Sequence, residues 1–541
     1  MTYIKKLSKV LAFFLLTLLF LSSEARCSDE LKKVRIDAFE GGQNSFDLSS
    51  VINPNQGILF SNIVLNKKGQ LSKRKGQALF AQDLSNIAWT GIGRFDPDQT
   101  TSYLIAASGT SVIRSLISPA LWVSIGASPP LTANKNTEFI QANDLLFILN
   151  GQDYTANYNG LVWDAGTSST ASPPIATTGA WLRNYLFLAG NPTYGDWVYF
   201  SNNLAPKTFT VTDVFKVNTG DGQKIIKLEP FRLNELIIYK ERSIYVLDIT
   251  GTTPLTDWSV QPISKAIGCI APRSVIGVGN DQIFLSSEPI AVRTLARSQY
   301  DKILVDMMSQ PIQDLFDGTG ETTINKTVIS KAASIFFDNK YIIAVATGTS
   351  TVNNYVAVFD FMTKSWYAIT GWYPAGWQVF NNNLYYIDAN DGRVIQCFIG
   401  TTGDMASGPC VTSASEPTVA ISYEYASKNI DFDNPENFKQ PDALDVEFDT
   451  SGNYNADVYL DLDDGGFQNI GTVSLKGNAP TLPINLPFNL GAGGVARQTF
   501  QIQKYGEFKK AKIRFVQNGL DEICNLHSFT IFGTPKAWRR E

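Results

Sequence analysis

A short pattern of polar and apolar residues recurs along much of the chain. In each copy, a polar turn that contains asparagine leads into an unbroken run of apolar or aromatic residues. The copies begin at Asn143, Asn184, Asn234, Asn280, Asn339 and Asn382. Asparagine tolerates the left-handed backbone of a tight turn, and a continuous apolar run suits a strand that is covered on both faces. The pattern therefore predicts a series of β-hairpins.

The spacing of these copies indicates a β-propeller. Successive asparagines are 41, 50, 46, 59 and 43 residues apart, and a four-stranded propeller blade repeats about every 40 to 50 residues. A related unit precedes them, in which Asp96-Pro97-Asp98 leads into Tyr103-Leu104-Ile105-Ala106. The longest step contains residues 298–316, whose apolar positions are spaced as in a helix, so we expect a short helix between two blades.

After Thr418 the pattern changes to a strict alternation of apolar and polar residues, as in Asp442-Ala443-Leu444-Asp445-Val446-Glu447-Phe448-Asp449. One apolar face and one wet face are typical of a sandwich strand. The predicted fold is therefore all-β, with a β-propeller of about seven blades followed by a C-terminal β-sandwich.

The same patterns divide the chain into five parts. Residues 1–25 resemble a signal peptide, because Lys5, Lys6 and Lys9 precede an apolar run too short for a confident membrane span. Residues 26–84 form an extension whose strands are candidates to complete the propeller at 85–408. Residues 409–417 are a linker, and residues 418–541 form the sandwich.

Composition supports this fold, with 12% aromatic residues, 41 glycines and 24 prolines in 541 residues. The charge is unevenly distributed. Residues 422–464 hold twelve acids against two lysines, a net charge of −10, whereas residues 465–541 have a net charge of +6. We therefore expect the two segments to present different faces. The candidate acidic face consists of Asp445, Glu447, Asp449, Asp457, Asp461, Asp463 and Asp464.

A basic cluster near the N-terminus is a candidate contact for phosphate groups or a protein partner. It consists of Lys67, Lys68, Lys73, Arg74 and Lys75. A positive cluster of this density would attract a phosphate backbone. The alternative is a solvent-exposed hairpin with no ligand.

The sequence offers little enzymatic chemistry. His527 is the single histidine, so a histidine-based triad has one candidate and a multi-histidine zinc site is excluded. No phosphate-binding loop or dinucleotide motif is present. Asp461-Leu462-Asp463-Asp464-Gly465-Gly466 lacks the downstream glutamate of a calcium loop and is interpreted as a hairpin turn. We predict no catalytic residue, no metal and no cofactor, although paired carboxylates of a glycosidase stay open.

Three segments in a fixed order carry a resemblance to a known family. The first contains Phe39-Glu40-Gly41-Gly42-Gln43-Asn44 and Gly69-Gln70-Leu71-Ser72-Lys73-Arg74-Lys75-Gly76. The second runs from Gly268-Cys269-Ile270-Ala271-Pro272-Arg273-Ser274 to Pro311-Ile312-Gln313-Asp314-Leu315-Phe316, and the third is Leu444-Asp445-Val446-Glu447-Phe448-Asp449. Together they resemble the β-propeller hub proteins of short-tailed bacteriophages, which include nozzle proteins and packaged-DNA stabilization proteins.

This resemblance implies a structural virion protein without catalytic residues. Such a protein forms a homo-oligomeric ring, binds the portal or adaptor and other tail proteins, and retains or passes DNA without sequence preference or a small-molecule substrate. The acidic residues would then line the channel and repel the duplex. The alternative is that they only keep an outer face soluble.

The signal-like start departs from the family, because tail proteins assemble in the cytoplasm. A misassigned start site is one explanation. The other is a secreted β-propeller that binds carbohydrate or a cell surface, which would make the protein extracellular rather than a virion component. A secreted glycan-cleaving enzyme is a third function class.

Overall fold

The computed structural model describes residues 31–65, 69–82, 89–116, 121–126, 130–297, 303–390, 393–400, 403–405, 418–476 and 494–536. These residues form 42 strands and one short α-helix, α1 (Gln313–Asp317). The all-β prediction is therefore confirmed. The signal-like segment, the 409–417 linker, Lys67 and Lys68 lie outside the described residues.

Seven groups of four antiparallel strands form the blades. Six of them are separate four-stranded sheets, and the seventh, blade 6, is one end of a ten-stranded sheet that continues into the sandwich. Blade 1 contains β7 (Trp89–Phe95), β8 (Tyr103–Ser108), β9 (Ser111–Leu116) and β10 (Leu121–Ser124). Blade 2 contains β11 (Glu138–Ala142), β12 (Leu145–Leu149), β13 (Ala156–Tyr158) and β14 (Trp163–Asp164). Blade 3 contains β15 (Thr178–Leu182), β16 (Tyr185–Ala189), β17 (Trp197–Asn202) and β18 (Ala205–Lys216). Blade 4 contains β19 (Ile225–Phe231), β20 (Glu235–Lys240), β21 (Ile244–Asp248) and β22 (Ser259–Ser264).

The last three blades complete the ring. Blade 5 contains β23 (Ile276–Val278), β24 (Asp281–Leu285), β25 (Val292–Arg297) and β26 (Ile303–Met307). Blade 6 contains β27 (Ala333–Phe337), β28 (Lys340–Val345), β29 (Tyr355–Asp360) and β30 (Ser365–Thr370). Blade 7 contains β31 (Pro374–Phe380), β32 (Asn383–Asp388), β33 (Arg393–Ile399) and, from the N-terminal part of the chain, β6 (Gly76–Gln82).

The first strand of each blade contacts the first strand of the next, and β31 of blade 7 contacts β7 of blade 1. The ring of seven blades is therefore closed. Because β6 is the outermost strand of blade 7, the end of the ring is pinned by a segment that precedes its beginning. Such closure leaves no free strand edge where the ring starts and ends.

The repeated asparagines occupy the turn between the first and second strands of blades 2 to 7. Asn143, Asn184, Asn339 and Asn382 have positive φ angles, and in the other two turns Arg232 and Gly279 take that conformation. Each apolar run becomes the second strand of its blade, whose residues are almost all buried. In each repeat, the polar residues therefore indicate the hairpin turn, and the apolar run indicates the strand that is buried between blades.

The helix expected over residues 298–316 is mostly wrong. Residues Ile303 to Met307 form β26, which pairs with β25 and completes blade 5. Only the end of the segment is helical, as α1, which ends at Gly318 with a φ of 95°. Because a blade without its fourth strand would leave an edge unpaired, pairing with β25 overrides the local helical spacing.

Two sheets form the sandwich, and both draw strands from the two ends of the chain. The first sheet contains β1 (Lys32–Ile36), β4 (Ile63–Leu65), β5 (Leu71–Lys73), β37 (Lys439–Asp449), β40 (Val495–Gln501) and β42 (Asn525–Pro535). The second contains β2 (Gly42–Gln43), β3 (Gln56–Ser61), β36 (Tyr423–Ser427), β38 (Asn455–Leu462), β39 (Gln468–Ser474) and β41 (Ala511–Gln517). A separate pair joins β34 (Gly403–Met405) to β35 (Thr418–Ala420). The propeller is therefore inserted between strands of the sandwich.

No gap separates the sandwich from the propeller. Strand β3 of the second sheet pairs in parallel with β30 of blade 6 through Ser61 and Ala368. A single apolar cluster runs from sandwich residues such as Phe515 to Trp372 and Trp377 beside blade 7. Because one core serves both parts, the two cannot move apart without exposing buried apolar surface.

Gly42 shows how closely the two parts approach. Its φ is 63°, and a β-carbon built there would lie 2.5 Å from Cβ of Ser365 and 2.7 Å from the carbonyl oxygen of Trp366. No other residue fits that space or that backbone conformation. The second glycine of the first family-like segment is thus a packing requirement at blade 6.

Arg74 is the centre of the junction, with an exposed fraction of 1%. Its Nε donates to Oδ1 of Asn62 (2.8 Å). Its Nη1 donates to the carbonyl of Lys75 (3.1 Å) and to Oδ1 of Asp404 (2.9 Å). Its Nη2 donates to the carbonyl of Thr370 (3.0 Å) and to Oδ2 of Asp404. All five guanidinium donors are therefore used, as a buried arginine requires.

The partners of Arg74 come from separate parts of the fold. Its guanidinium lies 4.7 Å from the ring centroid of Trp372, whose Nε1 donates to Asp404 at 3.4 Å. Asn62 also donates to Oγ1 of Thr370 (2.8 Å) and to the carbonyl of Ser422 (2.7 Å). This network, the Arg74 junction, joins the sandwich to blade 6 and to the segment after blade 7.

We predict that Arg74→Met lowers the free energy of unfolding by about 3–5 kcal/mol, because it leaves the Asp404 carboxylate buried without a counter-charge. Urea denaturation of the full chain measures this loss. Lys75→Met is the matched control, since Lys75 is exposed and only its backbone contacts Arg74. Equal stability of the two variants would contradict the role given to the junction.

Candidate functional site

The seven acidic residues proposed as one face lie on both sheets of the sandwich. Asp445, Glu447 and Asp449 are on β37, on the side away from the core residues Leu444 and Val446. Asp457 and Asp461 are on β38 of the other sheet, and the remaining two occupy the turn after it. Because alternate residues of the two sheets point away from a shared core, the seven do not form a single surface.

The acids of β37 have cations and hydroxyl groups of the same sheet beside them. Glu447 pairs with Arg497 and, at 3.3 Å, with Arg35, and accepts a hydrogen bond from Ser528 at 2.7 Å. Burial alone would raise the pKa of Glu447, but the bonds from Ser528 and Arg497 lower it. Oδ1 of Asp445 accepts a bond from Thr499 at 2.5 Å.

The acids of the other sheet are bound in a similar way. Lys512 lies 2.6 Å from Asp464 and 3.6 Å from Asp461. Lys510 also pairs with Asp464, and these two lysines lower the pKa of its carboxyl group. Oδ1 of Asp463 accepts the backbone N–H groups of residues 509 and 510, both at 2.9 Å. The segment Asp461 to Gly466 is therefore a hairpin turn tied to β41.

The expectation that the acidic and basic segments present different faces is wrong. Their charges alternate on the same faces, as Glu447 with Arg497 and Glu424 with Arg514 (2.7 Å) show. The physical reason is strand pairing, because β37 and β40, and β36 and β41, are neighbours in their sheets. Cross-strand neighbours of opposite charge stabilise a sheet.

Two of the three described members of the basic cluster, Lys73 and Arg74, are inside the molecule. Lys73 has an exposed fraction of 6% and donates to Oε1 of Gln517 (2.7 Å) and to the carbonyl of Gly519 (2.9 Å). Burial lowers its pKa to about 8. Arg74 is in the junction already described. These two side chains cannot reach a phosphate from solvent, and of the three described members only Lys75 is exposed.

His527 lies on β42 beside β37. One of its ring nitrogens pairs with Oδ1 of Asp449, and the amide of Gln70 also contacts the ring. Asn525 donates to the other oxygen of Asp449 at 3.1 Å. The imidazole is thus hydrogen-bonded to a carboxylate and a side-chain amide. The arrangement suits a polar bridge between strands.

A further group of charged residues lies at the centre of the propeller, and the sequence analysis named none of them. Glu138 on β11 and Lys227 on β19 form an ion pair of 2.6 Å. Thr178 on β15 donates to the same oxygen of Glu138 at 3.4 Å. Glu229, also on β19, adds a second carboxylate. All these residues are on first strands, which surround the propeller axis.

Arg273 crosses the axis between these strands. It precedes β23 of blade 5, and its Nη1 donates to the carbonyl of Ala375 in blade 7 at 2.9 Å. Its Nη2 donates to the carbonyl of Thr90 in blade 1. One side chain therefore connects three blades, and it lies in the second family-like segment. We call Glu138, Lys227, Glu229 and Arg273 the axial cluster.

Burial sets the electrostatics of the axial cluster. It raises the pKa of Glu229 to about 7, against the opposing effect of Lys227. It also lowers the pKa of Arg273. For Lys227, burial lowers the pKa, but Glu138 and Glu229 more than offset it, so the net pKa is raised. The described residues contain no group of three or more histidine, cysteine, aspartate or glutamate side chains placed to hold a metal ion.

A signal for the axial cluster does exist in the sequence. Glu138 and Glu229 each stand five residues before the turn asparagine of their blades, at Asn143 and Asn234. Assigning that position to the first strand of a blade would have placed both carboxylates beside the axis. Arg273 has no such marker, because it belongs to the connection between blades.

Comparisons with known proteins concern the fold. Neither a protein-family model nor a curated protein sequence matches the chain. It is similar to the extracellular domain of a putative hybrid two-component system, BT4673, from B. thetaiotaomicron, with 8% identity and a TM-score of 0.42 over 61% of this chain and 40% of that one. It is also similar to the WD40 domain of Neurospora crassa Pan2, with 8% identity and a TM-score of 0.37 over 60% of this chain and 97% of that one. YCF48 bound to D1 peptide is 8% identical, with a TM-score of 0.36 over 59% of this chain and 94% of that one.

This chain thus spans less than half of the first of these structures, and at such identities the likeness is one of fold alone. The class that fold and geometry define is a seven-bladed β-propeller inserted in a β-sandwich. Within the ranges that the structure describes, no helix has the length and apolar character to span a membrane.

Glu229 should make stability depend on pH. Its folded pKa of about 7 exceeds the unfolded value of about 4.3, so the folded state binds more protons between these values. The free energy of unfolding therefore falls as pH rises from about 4.5 to 7, by up to about 1.4 kcal/mol per pH unit.

Urea denaturation between pH 5 and 8 measures this dependence. Glu229→Gln should flatten the slope, whereas Glu321→Gln, which alters an exposed carboxylate of the propeller, should leave it unchanged. An identical slope in wild type and Glu229→Gln would show that Glu229 does not titrate in this window.

Proposed function

We propose that this protein is a structural, non-enzymatic component of the tail of a short-tailed bacteriophage. In this role it is a hub, nozzle or DNA-plug protein that connects the portal or adaptor to distal tail parts. It works as a homo-oligomeric ring and retains or passes DNA without sequence preference. It resides in the virion.

The observation that carries this proposal is where the family-like segments lie. The first supplies Gly42 and Arg74, which join the sandwich to the propeller. The second supplies Arg273, which connects three blades across the axis. The third is the central part of β37, which pairs with strands on both sides. The resemblance therefore rests on residues that fix the propeller, the sandwich and the junction between them, as a connecting part of an assembly needs.

Hydrogen bonds between the N-terminal part of the chain and the region of α1 also stabilise this arrangement. The backbone N–H groups of Ser45 and Phe46 donate to the carbonyl of Pro311 at 3.0 and 3.2 Å. Oγ of Ser45 donates to Oδ1 of Asp314 in α1 at 2.8 Å. The residues that directly follow residues 39–44 are thus hydrogen-bonded to the end of the second family-like segment.

The surface charge suits a part that lets DNA pass. DNA carries one negative charge per about 1.7 Å of its axis, so a wall of unpaired cations would hold it. In the sandwich, Arg497, Lys510, Lys512 and Arg514 are each paired with a carboxylate of the same chain. Since the seven acids lie on two sheets, a single face that lines a channel would contain only one of the two sets.

A secreted β-propeller that binds carbohydrate or a cell surface is the second candidate. The signal-like residues 1–25 favour it. Genes for a portal, terminase or capsid protein beside this one would favour the tail protein instead.

We expect the purified full chain to form a closed ring, alone or when mixed with the portal or adaptor protein encoded beside it. Native mass spectrometry gives the number of copies, and cryo-electron microscopy gives the symmetry and the faces that line the channel. The partner proteins without this chain are the control. A protein that stays monomeric both alone and with these partners would contradict the proposal.

We also expect no hydrolysis of glycans. The purified protein, incubated with a panel of oligosaccharides, should yield no product above a buffer control, because the proposed structural role needs no pair of catalytic carboxylates. A commercial glycosidase serves as the positive control. Turnover that a single Asp→Asn or Glu→Gln substitution abolishes would establish an enzyme.

A further inference from the structure

A cleft lies between blades 2 and 3. Its volume is about 250 Å³, and it is open to solvent. Tyr154 of blade 2 forms one wall, Tyr199 and Phe209 of blade 3 form the other, and the connection that includes Thr167 and Ser169 borders both. This size is near the lower end for small-molecule sites, so it suits one or two ring-sized units of a ligand.

The lining has a distinctive chemistry. It contains six serine and threonine hydroxyl groups, two tyrosines and one asparagine, together with apolar side chains, and none of its residues is charged. A phosphate, a carboxylate sugar or a nucleic acid would find no counter-ion here. The lining instead matches a ligand that is neutral, rich in hydroxyl groups and apolar on one face.

Both walls are fixed by hydrogen bonds. Oγ1 of Thr155 donates to the carbonyl of Pro174 at 2.5 Å, and Nδ2 of Asn191 donates to the carbonyl of Ile175 at 2.9 Å. The N–H of Phe209 donates to the carbonyl of Ala171 at 3.0 Å. A cleft held in this way loses little conformational entropy when a ligand enters.

Tyrosines supply the groups that a ligand would contact. The ring of Tyr154 is 45% exposed at the mouth. The hydroxyl group of Tyr199 is partly buried and makes no hydrogen bond to any described residue. Burial, with Tyr194 and Asp196 nearby, raises the pKa of Tyr199 to about 12, so this hydroxyl keeps its proton and can donate at neutral pH.

We propose that the cleft between blades 2 and 3 binds a neutral saccharide. The Tyr154 ring packs against the apolar C–H face of a sugar ring, since aromatic side chains offer a large apolar surface. The hydroxyl group of Tyr199 and those of the 167–172 connection bond to the sugar hydroxyl groups. This inference does not rest on the tail-protein proposal, because its evidence is the lining of the cleft; for the second candidate function, it names the site and the class of carbohydrate.

The test uses the purified full chain on an array of neutral hexose and N-acetylhexosamine oligosaccharides, with sialylated and uronic-acid oligosaccharides beside them. We expect binding to neutral members only. Isothermal titration with the strongest neutral member then measures the dissociation constant. Binding only to acidic members, or no binding to any neutral member at millimolar concentration, overturns the proposal.

Three variants locate the site. Tyr199→Phe removes one hydroxyl group and keeps the ring, and Tyr154→Ala removes the exposed ring. Each should weaken binding at least tenfold. Phe438→Ala is the matched control, because Phe438 is a similarly exposed aromatic residue in the sandwich, and it should bind as wild type does.

Thermal melts establish that each variant is folded. Tyr199→Phe is the decisive variant, since it is nearly isosteric and removes a group that forms no internal hydrogen bond among the described residues. Wild-type affinity in both tyrosine variants would overturn the assignment of the cleft.

Discussion

The buried ion pair between Arg74 and Asp404 is the interaction on which the arrangement of the two β bodies depends. A guanidinium group is tolerated inside a protein only when its donors are all satisfied and its charge is balanced. Here that requires Asn62 from the sandwich, Thr370 from blade 6 and Asp404 from the segment after blade 7 to converge on one point. The pair therefore specifies geometry, because any other relative position of these segments leaves buried polar groups without partners.

The order in which the chain visits the two β bodies also holds them together. From β1 onward, the chain runs through the sandwich, crosses at Arg74 into the outermost strand of blade 7, builds the other blades and returns to the sandwich. Strand β6 closes the ring, and β1 pairs with β42 near the other end of the chain. Separating the propeller from the sandwich would break pairings at both ends, so we expect the two to unfold together.

Charged residues that are distant in the sequence meet in two places, at the surface of the sandwich and around the propeller axis. At the surface of the sandwich, acids and bases that are far apart in sequence become cross-strand neighbours. Around the propeller axis, Glu138 comes from blade 2, Lys227 and Glu229 come from blade 4, and Arg273 comes from the connection before blade 5. Their partial burial makes charge costly there. The surface pairs limit the attraction of the sandwich for a polyanion, whereas the axial residues bond blades of the propeller to one another.

Particular residues show how much of the fold could be predicted from the sequence. The turn asparagines, with the apolar runs after them, predict the hairpins and the number of blades, because turn conformation and burial act locally. The alternation after Thr418 predicts sandwich strands for the same reason. The strand at Ile303 to Met307 was missed, since its conformation is decided by a partner strand and not by its own spacing.

For the candidate site residues, too, the sequence determined some properties and the tertiary structure determined others. Sequence composition identified Lys73 and Arg74 as cations and Asp445 to Asp464 as acids, and it determined their charge. Only the tertiary structure decided that the cations are buried, that the acids lie on two sheets and that Arg497 faces Glu447. The physical reason is that charge belongs to the residue, whereas burial and pairing belong to contacts between segments as distant as Arg74 and Asp404.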